Sequence, residues 1–277
     1  MSVIHNNMIL GASGAAGGVD FATSNLYDVL GDLGYQDNIS MCWDLRAVPD
    51  CLPGDSTVVD LAGVTSTYNL GSIAEIDGGI YSPDSYLKNA SEGHLLVYST
   101  TQTAWMKAMA NDGANFTLMV VYQVTAATAG EDYLCGTHAV AAGANGFHIR
   151  SDHVSFMRTE MQAYDAADVG VLESNGPGVN FTRSTWSYLW LSFKELGGTV
   201  SFWNINGSNK SAFDGVFDNG ATNNADYALT FFGAGDGGAA MTANSRLSQV
   251  AIWDTNLDTT AASAIFDALD PTFSFGV

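Results

Sequence analysis

The chain has 277 residues, 47 % of them hydrophobic, with 30 glycines and 5 prolines, so it can bury a sizeable core and turn tightly, and it is no proline-rich linker. Its 29 acidic and 9 basic residues give a formal charge of −20, a field that repels nucleic acid, anionic membrane surfaces and highly anionic polysaccharides. The same field favours solubility, cations or a basic partner surface, and the acids are scattered singly, as on a solvated exterior.

No apolar run approaches the roughly 18 residues of a membrane span, and the N-terminal MSVIHNN has neither a basic nor an apolar signal region. Neither membrane insertion nor secretion is expected, and the Asn-x-Ser/Thr sequons at Asn89, Asn115 and Asn180 then read as chance matches. Cys42, Cys51 and Cys135 are odd in number and contain no CxxC pair. Cys42 and Cys51 could bridge across one loop, but a disulfide framework is excluded and a reduced, cytosolic assembly environment fits.

In chain order, residues 8–19 are mostly small and cannot build a core. They read as an extended arm ordered by a neighbouring chain, with Met8, Ile9 and Leu10 as its sizeable apolar cluster. A short helical turn is expected at 25–30, within a segment interrupted by Gly31 and Gly34. The division predicted is an N-terminal arm over 1–39, serving as an attachment segment, and one domain over 40–277.

Strand patterns come next. Residues 115–124 alternate, with Phe116, Leu118, Val120 and Tyr122 on one face and Thr117, Met119, Val121 and Gln123 on the other. Two short strands are predicted at 146–149 and 154–157 around a turn at Ser151-Asp152. Residues 186–193 form a strand apolar on both faces, and Gly197-Gly198 signals a hairpin into 199–205. Strands at 227–232 and 247–253 precede a helix at 259–269, capped by Asp258 or Thr259 and stopped by Pro271. Its apolar Ala262, Ile265, Phe266 and Leu269 fall at i, i+3, i+4 and i+7. Successive strands with glycine punctuation and one late helix imply an all-β antiparallel sandwich.

Three stretches carry a family resemblance. Residues 43–63, WDLRAVPDCLPGDSTVVDLAG, end in Val59-Asp60-Leu61-Ala62-Gly63; residues 184–208 hold a tryptophan-rich hairpin closing at Asn206-Gly207. Residues 229–269 run from Phe231-Phe232-Gly233 through the strand ending Trp253-Asp254 to Asn256-Leu257-Asp258 and the helix. Together they resemble the concanavalin A-like lectin/glucanase superfamily in the laminin-G-like form found in phage virion proteins, as does the N-terminal Asn6–Ala12 segment. Arg246 stands near a position where the family has glycine. The resemblance implies a concanavalin A-like jelly roll and a bacteriophage virion structural protein of the tail, baseplate or fibre region, assembled in the host cytoplasm. The partners it implies are other virion proteins, further copies of the chain in a homo-oligomer, and host-surface glycan. A capsid decoration or cement protein is the second reading and a glycoside hydrolase the third.

Catalytic patterns are incomplete. The glucanase motif Glu-φ-Asp-x-x-Glu begins at Glu75-Ile76-Asp77 but lacks its second glutamate, so nucleophile and acid cannot both be supplied and no enzyme is expected. There is no Gly-x-Ser-x-Gly elbow, phosphate loop or HExxH motif. His148 and His153 flank Arg150, which would repel a metal ion. No cofactor is expected. Calcium is the cation that hard oxygen ligands would suit, with Asp214, Asp218, Asp226 and Asp236 in candidate loops. Period two places Trp186, Tyr188 and Trp190 on one face of their strand, opposite Leu189, Leu191 and Phe193. That row needs a cover, which is a loop, another subunit or a sugar; as a sugar platform, Trp203 on the next strand extends it.

Overall fold

The computed structural model describes residues 24–46, 57–58, 60–63, 68–70, 74–77, 86–89, 96–97, 103–109, 114–124, 131–138, 145–152, 158–165, 168–173, 184–194, 199–206, 209–216, 224–235, 241 and 244–275. The elements in order are α1 (Leu26–Asp32), β1 (Ile39–Asp44), β2 (Thr57–Val58), β3 (Tyr68–Leu70), β4 (Ala74–Asp77), β5 (Tyr86–Asn89), β6 (Leu96–Val97) and α2 (Thr103–Lys107). After these come β7 (Asn115–Gln123), β8 (Glu131–Gly136), β9 (Gly146–Asp152), β10 (Arg158–Asp165), β11 (Asp168–Glu173), β12 (Ser187–Lys194), β13 (Thr199–Asn206), β14 (Asn209–Val216), β15 (Thr230–Phe231), β16 (Arg246–Trp253) and α3 (Thr259–Phe273).

Among the described residues these strands make two antiparallel sheets. One runs β14-β13-β12-β7-β16-β5-β4, with β1 also on β16; the other runs β11-β10-β9-β8-β15-β6-β3-β2. Alternation decides what each face meets. Phe116, Leu118, Val120 and Tyr122 of β7 and Leu189, Leu191 and Phe193 of β12 point between the sheets. There they meet Leu134, Phe147, Ile149 and Phe231 of the second sheet. Trp43 on Phe231 (ring centroids 5.3 Å) and Phe116 on Phe147 (5.7 Å) join the two layers.

The opposite face of the first sheet carries a second core. Met119, Val121, Tyr188, Trp190, Trp203, Ile205, Ala251 and Trp253 are covered there by Leu26, Val29 and Leu30 of α1 and by Ala261, Ala262, Ile265 and Leu269 of α3. The order is therefore sheet, sheet, helices. The helices form as expected and go further. Asn25 caps α1 by accepting from Asp28 N (2.9 Å), and Gly34, at φ +80°, makes the turn out that a side chain would strain. The expected arm over 1–39 thus ends earlier: residues 24–39 already belong to the folded domain, because Leu26, Val29 and Leu30 are buried on the sheet. Met8, Ile9 and Leu10 lie outside the described residues.

Asp258 caps α3, accepting from Thr260 N and Ala261 N (both 3.0 Å). Contrary to expectation, α3 runs through Pro271 to Phe273. The proline sits in the final turn, where it removes one hydrogen bond, while burial of Phe273 and Phe275 holds that turn on the second core. The turn expected at Ser151-Asp152 is also displaced: β9 continues through both residues and Arg158 pairs with Asp152. The strand expected over 227–232 is reduced to Thr230–Phe231. Just before Arg246 the backbone passes through the left-handed region at Asn244 (φ 65°). In the Val59–Gly63 element, buried Asp60 accepts from Cys42 N (2.8 Å) and Ala62 N (3.0 Å), pinning that turn to β1.

Cys42 and Cys135 are buried free thiols, and Cys51 lies outside the described residues. Burial pushes both thiols well above the ordinary 9.0, for Cys42 with help from Asp60, Asp44 and Asp28. Burial, with Asp267 adding to it, raises the Tyr188 phenol above its ordinary 10.0. The folded chain therefore keeps protons that the unfolded chain releases, so this contribution is full below pH 9 and is lost as pH rises. Melting temperature should decline above that pH, and Tyr188→Phe should lessen the decline above 10.0. A flat profile to about pH 11 by calorimetry would refute this. No helix among the described residues is long and apolar enough to cross a membrane.

Candidate functional site

The aromatic row lies on one face, as period two requires, but that face is not a surface. Tyr188 and Trp190 are fully buried and Trp203 nearly so. The Tyr188 hydroxyl donates to Ala262 O of α3 (3.0 Å), its ring meets Phe266 and Phe275, and Trp186 stands edge-on to Phe273. Trp190 packs on Trp253. The cover is the chain's own helix layer, so a sugar cannot reach Tyr188 or Trp190, and the platform reading of Trp186, Tyr188, Trp190 and Trp203 is corrected to a core. The loop entering α3 is fixed beside them. Thr117 Oγ1 accepts from Leu257 N (2.9 Å) and donates to Thr255 O (2.7 Å), while Ser192 Oγ donates to Leu257 O and accepts from Asn256 Nδ2.

His148 is buried against Tyr133 and His138 (ring centroids 4.5 and 5.4 Å), and His153 lies outside the described residues. Of the four candidate calcium aspartates, Asp226 has a described side chain, and its Oδ2 accepts from Asn145 N (2.9 Å). Among the described residues no cluster of three or more His, Cys, Asp or Glu side chains is placed to hold a metal ion. Glu75 and Asp77 lie on β4, with side chains outside the described set.

An open site does exist, at the end of the first sheet where β1 and β7 begin and β16 ends. α2 closes that end of the sandwich. Met106 and Met109, three apart, enter the core between the sheets, which turns Trp105 partly to solvent. Ala225 N donates to Lys107 O (2.7 Å) and Lys107 Nζ to Asp226 O (2.8 Å), tying α2 to the loop before β15. Between α2 and the strand ends opens a cleft of about 450 Å³, floored by Phe116 and Trp253 and walled by Met109, Ala108 and Ala114. Four of its lining residues carry polar side chains: Ser40, Trp105, Asn115 and Asp254. Asn115 and Asp254 are exposed. None of the four side chains makes a hydrogen bond or ion pair among the described residues, whereas Thr117, Ser192 and Asn256 nearby are bonded internally. An indole beside uncommitted hydroxyl, amide and carboxylate groups suits a ligand with an apolar face and a hydroxyl edge.

The architecture has counterparts. The fold is a concanavalin A-like antiparallel β-sandwich. The binding domain of botulinum neurotoxin DC in complex with SialylT superposes with a TM-score of 0.58 at 10 % identity, over 84 % of this chain and 52 % of that one. A botulinum neurotoxin type C structure, described by its interaction with two ganglioside molecules, gives 0.56 at 11 % identity over 86 % and 53 %. Trypanosoma rangeli sialidase gives 0.55 at 14 % identity over 87 % and 34 %. The chain thus spans about half the neurotoxin chains and a third of the sialidase. No family model matches the sequence, and no curated protein matches it.

The cleft was not legible in the sequence. Its walls come from four separated segments, and α2 is too short to show a period. The available signal was Trp105-Met106 with Met109, an indole next to two apolar anchors three apart.

Proposed function

We propose that this chain is a non-catalytic glycan-binding module of a bacteriophage particle, carried in the tail, baseplate or fibre region, and that it holds sugar in the cleft beside Trp105. The observation that carries the glycan reading is an opening lined by the Trp105 indole and by three residues with uncommitted polar side chains, Ser40, Asn115 and Asp254, in a sandwich of this fold. The neurotoxin structures of the same fold, one a binding domain in complex with SialylT and the other of a neurotoxin whose cell entry depends on interaction with two ganglioside molecules, lend it support by analogy. The virion assignment draws on the sequence resemblance to phage proteins of this type. In this role the sandwich is a rigid scaffold, Trp105 stacks on a pyranose face, and Ser40, Asn115 and Asp254 fix the ring through its hydroxyls.

The test uses the purified chain as a competitor. In excess it should bind host cells and block adsorption of the particle that carries it. Trp105→Ala should weaken host-glycan binding by roughly 10- to 100-fold, the scale of one large side chain's burial at about 1.5–3 kcal/mol, and should not block adsorption at the same concentration. Equal competition by the variant would remove Trp105 from the site. Release of reducing sugar from host polysaccharide would overturn the non-catalytic reading.

A further inference from the structure

The charge of the proposed cleft narrows its ligand. Resting on that reading of the site, we infer that the cleft accepts neutral hexose units and discriminates against acidic sugars such as sialic acid. Asp254 presents an exposed carboxylate on the rim with no hydrogen-bond or ion-pair partner among the described residues. The other polar lining groups are neutral: the Ser40 hydroxyl, the Trp105 indole N–H and the Asn115 amide. No Lys, Arg or His is among the described lining residues.

Two neighbouring cations lie outside the described lining. Lys107 on α2 gives its ammonium to Asp226 O. Lys194 stands opposite Asn115 in the β12–β7 register, but is exposed and outside the lining. The whole chain, at −20, adds a repulsive background. A carboxylate is an acceptor only, so Asp254 suits hydroxyl donors, which every neutral hexose offers. An acidic sugar would instead bring a second carboxylate into a cleft whose described lining holds no cation to offset it, and like charges in contact cost binding even in water.

The experiment is an array of neutral oligosaccharides beside their sialylated counterparts, probed with the full chain, Trp105→Ala and Asp254→Asn. The expected result is binding to neutral glycans, with each sialylated counterpart weaker by at least ~5-fold, the smallest effect of a like-charge contact in high dielectric. That gap should shrink in Asp254→Asn and in about 0.5 M salt, where screening acts within a few ångströms. Equal or tighter binding of sialylated glycans, lost in Trp105→Ala, would overturn the inference while leaving the cleft as the glycan site. Absence of any bound glycan, or binding indifferent to Trp105→Ala, would remove the site itself and the inference with it.

Discussion

Trp190→Ala should lower the stability of the folded chain by about 3–5 kcal/mol, the range for emptying a large buried aromatic site, and leave sugar binding at the Trp105 cleft intact. Trp190 is fully buried and packs on Trp253 with ring centroids 5.8 Å apart. It stands opposite Met119 and Trp203 on the flanking strands, at the centre of the layer that α1 and α3 cover. Removing the indole leaves a void that two helices and a sheet cannot all close onto. A loss of that size should move the melting temperature by on the order of 10 °C for a chain of this length. A small thermal shift accompanied by lost glycan binding would show that the row is a surface after all.

Asp44→Ala should be comparably damaging, by about 3–5 kcal/mol, because it takes a hydrogen-bonded counter-charge away from the buried Arg46 cation. The Asp44 carboxylate accepts from Arg46 Nη2 (2.8 Å), Nε (3.1 Å) and N (3.0 Å), and from Leu26 N at the start of α1 (2.8 Å). The Arg46 side chain is wholly buried. Its Nη2 also donates to Ser24 O (3.2 Å), and its guanidinium lies over the Phe273 ring at 5.8 Å. One ion pair therefore joins the beginning of α1, the end of β1 and the end of α3. Replacing both partners together, as Asp44→Leu with Arg46→Met, should cost less than Asp44→Ala alone, since no charge is then stranded. Urea unfolding of the three variants measures this, and a double variant worse than the single one would refute it.

The sandwich was legible where strand period and burial coincide. β7 and β12 each send alternate residues into different cores, and both appear in the sequence as two-faced strands. The helix at the end was legible because its apolar spacing and Asp258 agree. Sequence alone leaves open what covers Tyr188 and Trp190, since a second apolar face calls for a cover without naming one. The answer lies in α3, some seventy residues away, joined through the Tyr188 hydroxyl and Ala262 O. β16 hides part of its phase for another reason. A register shift between Leu247 and Gln249 lets Leu247 and Val250, three apart, face the same core, which a period of two forbids. The Asp44–Arg46 pair is two charged letters in a strand end, and their burial depends on where α1 and Phe273 come to rest.

The ion pair and the cleft lie at opposite ends of β1. Ser40 lines the cleft, and Arg46 stands just past the strand's far end, so roughly 20 Å of extended chain separates them. α3 spans the same interval, starting beside Thr117 and Ser192 and finishing over Arg46. Ser24 and Phe273, near the first and last described residues, therefore meet at one guanidinium. A domain suspended by either flank, or by both, hangs from a single corner, with its opening turned to the far side. A pull applied through Ser24 and Phe273 bears first on the clasp that joins them and leaves the cleft end unloaded.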